Sequence, residues 1–201
     1  GISAWVSRIS FSGELAFEIS VDANSGLALW EAVMEAGQRF DITPYGTEAM
    51  HVLRAEKGYV IVGQDTDGSV TPFDLGMQWI VSEAKDFIGK RSLSRSDTAR
   101  DNRKQLVGLL TKDPAHVLPE GAQLVNAPSE SRPVPMIGHV SSSYFSANLK
   151  RSIALALVKG GASRMGSTVY AQLMDGAIVP AVITSAVFVD PENERQRQEG
   201  I

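Results

Sequence analysis

Two residues are best placed to do chemistry: a carboxylate inside an apolar strand and a guanidinium inside an apolar helix. Glu18 lies within Phe17-Glu18-Ile19-Ser20-Val21, where strand alternation sends its side chain to the face opposite Phe17 and Ile19. Arg54 lies within Leu53-Arg54-Ala55-Glu56, in a segment with apolar residues on nearly every turn. A carboxylate has two acceptor oxygens that can take a pair of N–H donors, and a guanidinium is a fixed fork of donors. Each also has a plainer reading. Glu18 could be a solvent-facing strand residue, and Arg54 could form a structural ion pair with Glu18 or Glu56.

The rest of the chain offers no self-sufficient catalytic motif. G-x-S-x-G, the Walker loop and G-x-G-x-x-G are all absent. Gly58 to Gly63 has glycine at its ends only and lacks the closely spaced amides that cradle a phosphate. Asp65-Thr66-Asp67-Gly68 opens like a calcium loop, yet Gly76 stands where a bidentate glutamate belongs, so it reads as a solvated turn. With no cysteine, disulfides, thiolate catalysis and iron–sulfur ligation are excluded. His51, His116 and His139 are far apart, and no metal site is expected.

Composition excludes other classes. The 201 residues are 43% apolar and 21% charged, which fits a folded protein with one or two cores. A formal net charge of −4 provides no general field for nucleic acid or an anionic bilayer, so neither is expected as a partner. The opening Gly1-Ile2-Ser3-Ala4-Trp5 has no initiator Met, basic region or long apolar run. It reads as a piece of a longer chain, with a cytoplasmic location expected.

These residues must be positioned by elements that the patterning makes visible. Trp5 to Phe11 and Phe17 to Val21 alternate around Ser12-Gly13-Glu14, predicting a strand, a tight turn and a strand. Leu27, Trp30, Val33 and Met34 have helical spacing after Asn24 or Ser25, with a stop near Gly37. A second helix is predicted over Thr47 to Lys57, stopped by Gly58. Thr71-Pro72 reads as a helix start, Met77 to Val81 as a buried strand, and Lys90 opens a short helix. Beyond the charged stretch Arg95 to Lys104, six short strands follow: Leu106–Leu110, Gln123–Val125, Met136–Ser142, Ser152–Val158, Thr168–Leu173 and Val179–Val187. The expected fold class is α+β, with an α+β domain over 1–95, a small β-barrel or sandwich over 104–190, and a polar, frayed tail over 191–201.

Together these segments resemble the aminomethyltransferases, the T-protein family of the glycine cleavage system. Phe11-Ser12-Gly13-Glu14-Leu15-Ala16-Phe17-Glu18-Ile19 resembles their Y-T-G-E-x-G-F-E-I, and Leu53-Arg54-Ala55-Glu56-Lys57-Gly58 their L-R-L-E-x-G. Thr71 to Trp79 is similar to T-P-x-E-x-G-L-x-W, and Asp86 to Leu93 to D-F-I-G-K-x-A-L. Ile137 to Ser142 and Ser152 to Val158 resemble I-G-x-V-T-S and S-I-A-L-A-Y-V. Ala49-Met50-His51, where a T-protein has A-R-D, resembles instead the α subunits of heterotetrameric sarcosine oxidases.

The resemblance implies a partial folate-binding domain closed by a C-terminal barrel. It places the pterin-binding glutamate on Glu18, a folate-contacting arginine on Arg54, and an aromatic contact on Phe11, which lacks the family's tyrosine hydroxyl. Val62 stands where the family has an aromatic wall. It implies tetrahydrofolate as cofactor of the intact subunit. FAD, FMN and NAD would serve the whole enzyme outside this chain, and other sarcosine oxidase subunits would be its partners. Sarcosine would be oxidatively demethylated to glycine, and the one-carbon unit passed to tetrahydrofolate as 5,10-methylenetetrahydrofolate. The family's catalytic aspartate belongs to an upstream half, so this chain is expected to hold no catalytic residue and no activity alone. A fragment of a glycine cleavage aminomethyltransferase is the alternative, as is a non-catalytic folate-binding protein of iron–sulfur maintenance, whose K-G-C-Y-x-G-Q-E cysteine is missing here.

Overall fold

The structure, a computed structural model, describes residues 1–130 and 133–197. The chain divides into two compact units, one of Gly1–Arg54 with the chain from Asp190, the other of Ala55–Val189.

In the first unit, β1 (Ala4–Ser7) pairs antiparallel with β2 (Glu18–Val21), with Val6 opposite Ile19 and Ser7 opposite Glu18. Strand alternation puts Ala4, Val6, Ile19 and Val21 on one face and Trp5, Ser7, Glu18 and Ser20 on the other. The first strand is shorter than predicted, and the tight turn is replaced by a ten-residue connection, Arg8 to Phe17. Local hydrogen bonds compete with the ladder there: the Gly13 amide donates to Ser10 Oγ at 3.0 Å, and Gly13 takes a φ of 87°. The helix α1 (Gly26–Gly37) forms where expected, although Ser25 makes no side-chain cap.

The predicted tail 191–201 is partly outside the described residues, at 198–201. Its remainder is tied down: the Asp190 carboxylate accepts from the Glu194 and Arg195 amides, and Arg195 Nη1 meets Glu14 Oε1 at 2.6 Å. This corrects the expectation that the whole tail frays.

The helix α2 (Thr47–Glu56) follows, ending one residue before the expected Lys57, and Gly58 stops it with a φ of 72°. Thr71-Pro72 opens a single turn instead of a helix, closed by Asp74. Met77–Val81 is not a strand. Residues Gln78–Ile80 form a 3-10 turn with Trp79 79% exposed, because no neighbouring strand supplies a ladder. The short helix at Lys90–Ser94 is also 3-10.

All six predicted barrel strands are present: β3 (Lys104–Thr111), β4 (Gln123–Val125), β5 (Gly138–Ser146), β6 (Arg151–Lys159), β7 (Thr168–Gln172) and β8 (Ile178–Thr184). They close in the order β3-β6-β5-β4-β7-β8, every pair antiparallel. The lumen is filled by Val107, Leu109, Leu124, Val140, Val169 and Ile183, with Ala154, Ala156, Ala171 and Ala181 where a narrow barrel needs small residues. β6 is apolar on both sides for a reason. Ala154, Ala156 and Val158 enter the lumen, whereas Ile153 and Leu155 pack outside with Ala55, Leu106, Leu110 and Phe188.

Candidate functional site

Glu18 opens β2, exposed, across from Ser7 and on the face of Trp5. The indole Nε1 of Trp5 donates to Ser7 Oγ at 2.9 Å, which holds the ring along β1. Among the described residues the Glu18 carboxylate has neither hydrogen bond nor ion pair. Phe11 is half-buried in the Arg8–Phe17 connection. Arg54 is fully enclosed in the last turn of α2, where the helix dipole favours a cation. The structure does not join Glu18 to Arg54 by a hydrogen bond.

Neither plain partner of Arg54 is used in that way. The Glu56 carboxylate instead accepts from Ser146 Oγ and Asn148 Nδ2, each at 2.6 Å. Val62 is 86% exposed. Among the described residues no group of three His, Asp or Glu side chains is arranged to hold a metal ion.

Sequence reasoning missed a set of buried carboxylates that pin the segment after α2 to the barrel. Asp65 is not in a solvated turn but fully buried. Its Oδ1 accepts from Ser141 Oγ at 2.5 Å and Ser142 Oγ at 2.7 Å, and its Oδ2 accepts from the Ile61 amide at 2.8 Å. A β-bulge between Val140 and Ser142 makes this possible by turning both hydroxyls toward it. Gln64 adds bonds to the Ser141 carbonyl and Ser142 Oγ. Asp67 keeps the solvated character, its acidity strengthened by hydrogen bonds from Ser69.

Asp74 is held by Arg103 Nε at 2.8 Å to Oδ1 and Arg103 Nη2 at 2.7 Å to Oδ2, and by the Thr71 amide and hydroxyl. Arg103 also donates to the Ser69 carbonyl. The T-P-x-x pattern was the available signal, since a carboxylate three residues after a threonine can close a box on it. His139 is driven toward its neutral form by burial and by Lys104, with Asp67 opposing.

Residues 1–85 match the GCVT N-terminal domain, and residues 104–190 match the glycine cleavage T-protein C-terminal barrel domain. The chain belongs to the glycine cleavage T-protein family. Within that family it is 54% identical to the sarcosine oxidase subunit alpha of Corynebacterium sp. (strain P-1), over 98% of this chain and 20% of that protein. Identity to the sarcosine oxidase subunit alpha of Rhizobium meliloti (strain 1021) is 41%, over 94% of this chain and 19% of the relative. With the aminomethyltransferase of Thermotoga sp. (strain RQ2) it is 30%, over 94% and 49%.

The fold is that of the glycine cleavage system aminomethyltransferase T from Bartonella henselae, with a TM-score of 0.78 over 92% of this chain and 50% of that one, at 24% identity. The chain thus spans about one-fifth of the sarcosine oxidase subunits it matches. No helix among the described residues is long and apolar enough to cross a membrane.

Proposed function

We propose that this chain is the folate-binding C-terminal part of a sarcosine oxidase α subunit, in which Glu18 anchors the pterin. The observation that carries this is the Glu18 carboxylate, exposed on β2 and uncommitted to any donor among the described residues, in a chain 54% identical to such a subunit. A free carboxylate fits a pterin, whose ring N–H and exocyclic amine form a matching pair of donors. Phe11 supplies a ring contact, and Arg54 meets polar groups of the folate or orients its surroundings.

Tetrahydrofolate, when bound, supplies the nitrogen that accepts the one-carbon unit. This chain's residues bind and orient it, and they perform no oxidation. The folate-facing part extends to about residue 95, and the barrel domain runs from 104 to 190. FAD, FMN and NAD serve upstream parts and other subunits of a cytoplasmic enzyme.

The test uses the full-length parent protein. Glu18→Ala is expected to weaken tetrahydrofolate binding roughly 10- to 100-fold, the worth of a charged hydrogen-bonding group. Flavin reduction by sarcosine should survive, and the isolated chain should show no sarcosine-dependent oxygen uptake. Unchanged folate affinity in the variant would remove Glu18 from the site. Transfer to folate from a lipoyl-bound aminomethyl group would favour the aminomethyltransferase alternative, to which 30% identity with a Thermotoga enzyme gives some support.

A further inference from the structure

The outer surface of the barrel carries a groove that nothing above uses. It lies where β3 ends, β6 begins and the middles of β7 and β8 meet, and its volume is about 760 Å³. That is within the range of small-molecule sites. Leu110, Pro180 and Val182, with the ring of Tyr170, give it an apolar lining. Lys112 and Arg151 give it charge, and no carboxylate lines it. This is notable in a chain of formal net charge −4.

The two cations are also incompletely used. Arg151 is fixed by one bond, Nη2 to the Thr111 carbonyl at 2.8 Å, and its buried Nε has no acceptor among the described residues. Among those residues Lys112 makes no ion pair, and the Tyr170 hydroxyl makes no hydrogen bond. Two like charges at one concave, partly apolar surface repel each other, and a desolvated guanidinium donor without an acceptor is costly. A negative group bound in the groove relieves the repulsion between the two cations.

We propose that this groove binds an organic anion. Its acidic group lies between Lys112 and Arg151, and its apolar or aromatic body lies along Leu110, Tyr170, Pro180 and Val182. An apolar ligand without charge would leave the cations as they are, and a bare inorganic anion would leave the apolar lining wet. The groove therefore selects for both properties in one molecule.

The experiment is an amide NMR titration of the 201-residue chain with naphthalene-2-carboxylate, with 2-naphthamide and inorganic phosphate as separate arms. The carboxylate is expected to give saturable shifts confined to residues 110–112, 151, 168–170 and 181–182. The amide and phosphate should each bind several-fold more weakly. Lys112→Gln should weaken the carboxylate roughly threefold to tenfold. Arg151→Lys, which keeps the charge but loses the fork, should weaken it too. Binding to the unmodified chain should also fall as sodium chloride is raised to about 0.5 M, a readout that does not depend on any variant folding. Equal binding of the amide, binding insensitive to salt, shifts centred on the β1–β2 ribbon, or no saturable shift would each overturn the proposal.

Discussion

Asp74 shows how a single residue sets the acid limit of this fold. Burial raises its tendency to take a proton, but hydrogen bonds from Arg103 and Thr71 outweigh that and hold its carboxyl below the usual carboxylate range. In the unfolded chain the same group titrates near its ordinary value, about 3.9. The unfolded state therefore binds the proton first. The stabilisation is fully present above that ordinary value and is lost as pH falls through the lowered one. Asp74→Asn is expected to cost about 3–5 kcal/mol in urea melts near neutral pH, because it removes the buried carboxylate paired with Arg103 and leaves that guanidinium only the exposed Asp97. Its deficit relative to the parent chain should shrink in acid. A constant deficit down to the lowest accessible pH would show that the ion pair is not the source. This pair was illegible in the sequence, since Asp74 and Arg103 are 29 positions apart and no local pattern links them. Asp65 was illegible for a similar reason: its partners Ser141 and Ser142 are placed by a bulge in a strand formed much later in the chain.

At the scale of elements, legibility followed the source of the pattern. The six barrel strands could be read because alternation and turn residues report a two-sided environment that each strand carries in its own sequence. Met77–Val81 could not, since an apolar run does not say whether a partner strand exists. Gly58 connects local conformation to long-range packing. Its φ of 72° suits only glycine well, and a methyl group there would lie 2.6 Å from the Ala186 carbonyl oxygen. That oxygen has little room to retreat, because the neighbouring Phe188 and Val189 amides are bonded to the Glu56 carbonyl. Gly58→Ala should therefore cost more than the roughly 1–2 kcal/mol of a left-handed alanine. Gly176→Ala is the control: φ is also positive, at 88°, but the space is open, so only the conformational part should be lost. Equal midpoints for the two variants in thermal melts would show that the close approach carries no weight.

At the scale of the whole molecule, the two units differ in how much apolar surface they bury. The barrel has a filled lumen, whereas α1 buries no residue and Trp5, Leu27 and Phe40 are each about 70% exposed or more. A two-stranded ribbon, α1 and most of α2 are too little to enclose a core by themselves. The isolated chain is expected to self-associate, and Leu27→Glu with Trp30→Glu should reduce this while leaving the barrel's melting unchanged. Unaltered self-association in the double variant would place the exposed surface elsewhere. The alternation in this unit was legible, and its burial was not, because a pattern shows which face is apolar without showing what covers it. The barrel differs in one further respect. The chain enters its unit at Ala55 and leaves at Val189, and the Glu56 carbonyl receives the Phe188 and Val189 amides at 2.8 and 3.0 Å. The 135-odd residues between hang from the backbone as a loop drawn shut at its neck. A pull along the chain is expected to load that clasp before the barrel strands, and its neck marks the natural place to excise or transplant the unit as a cassette.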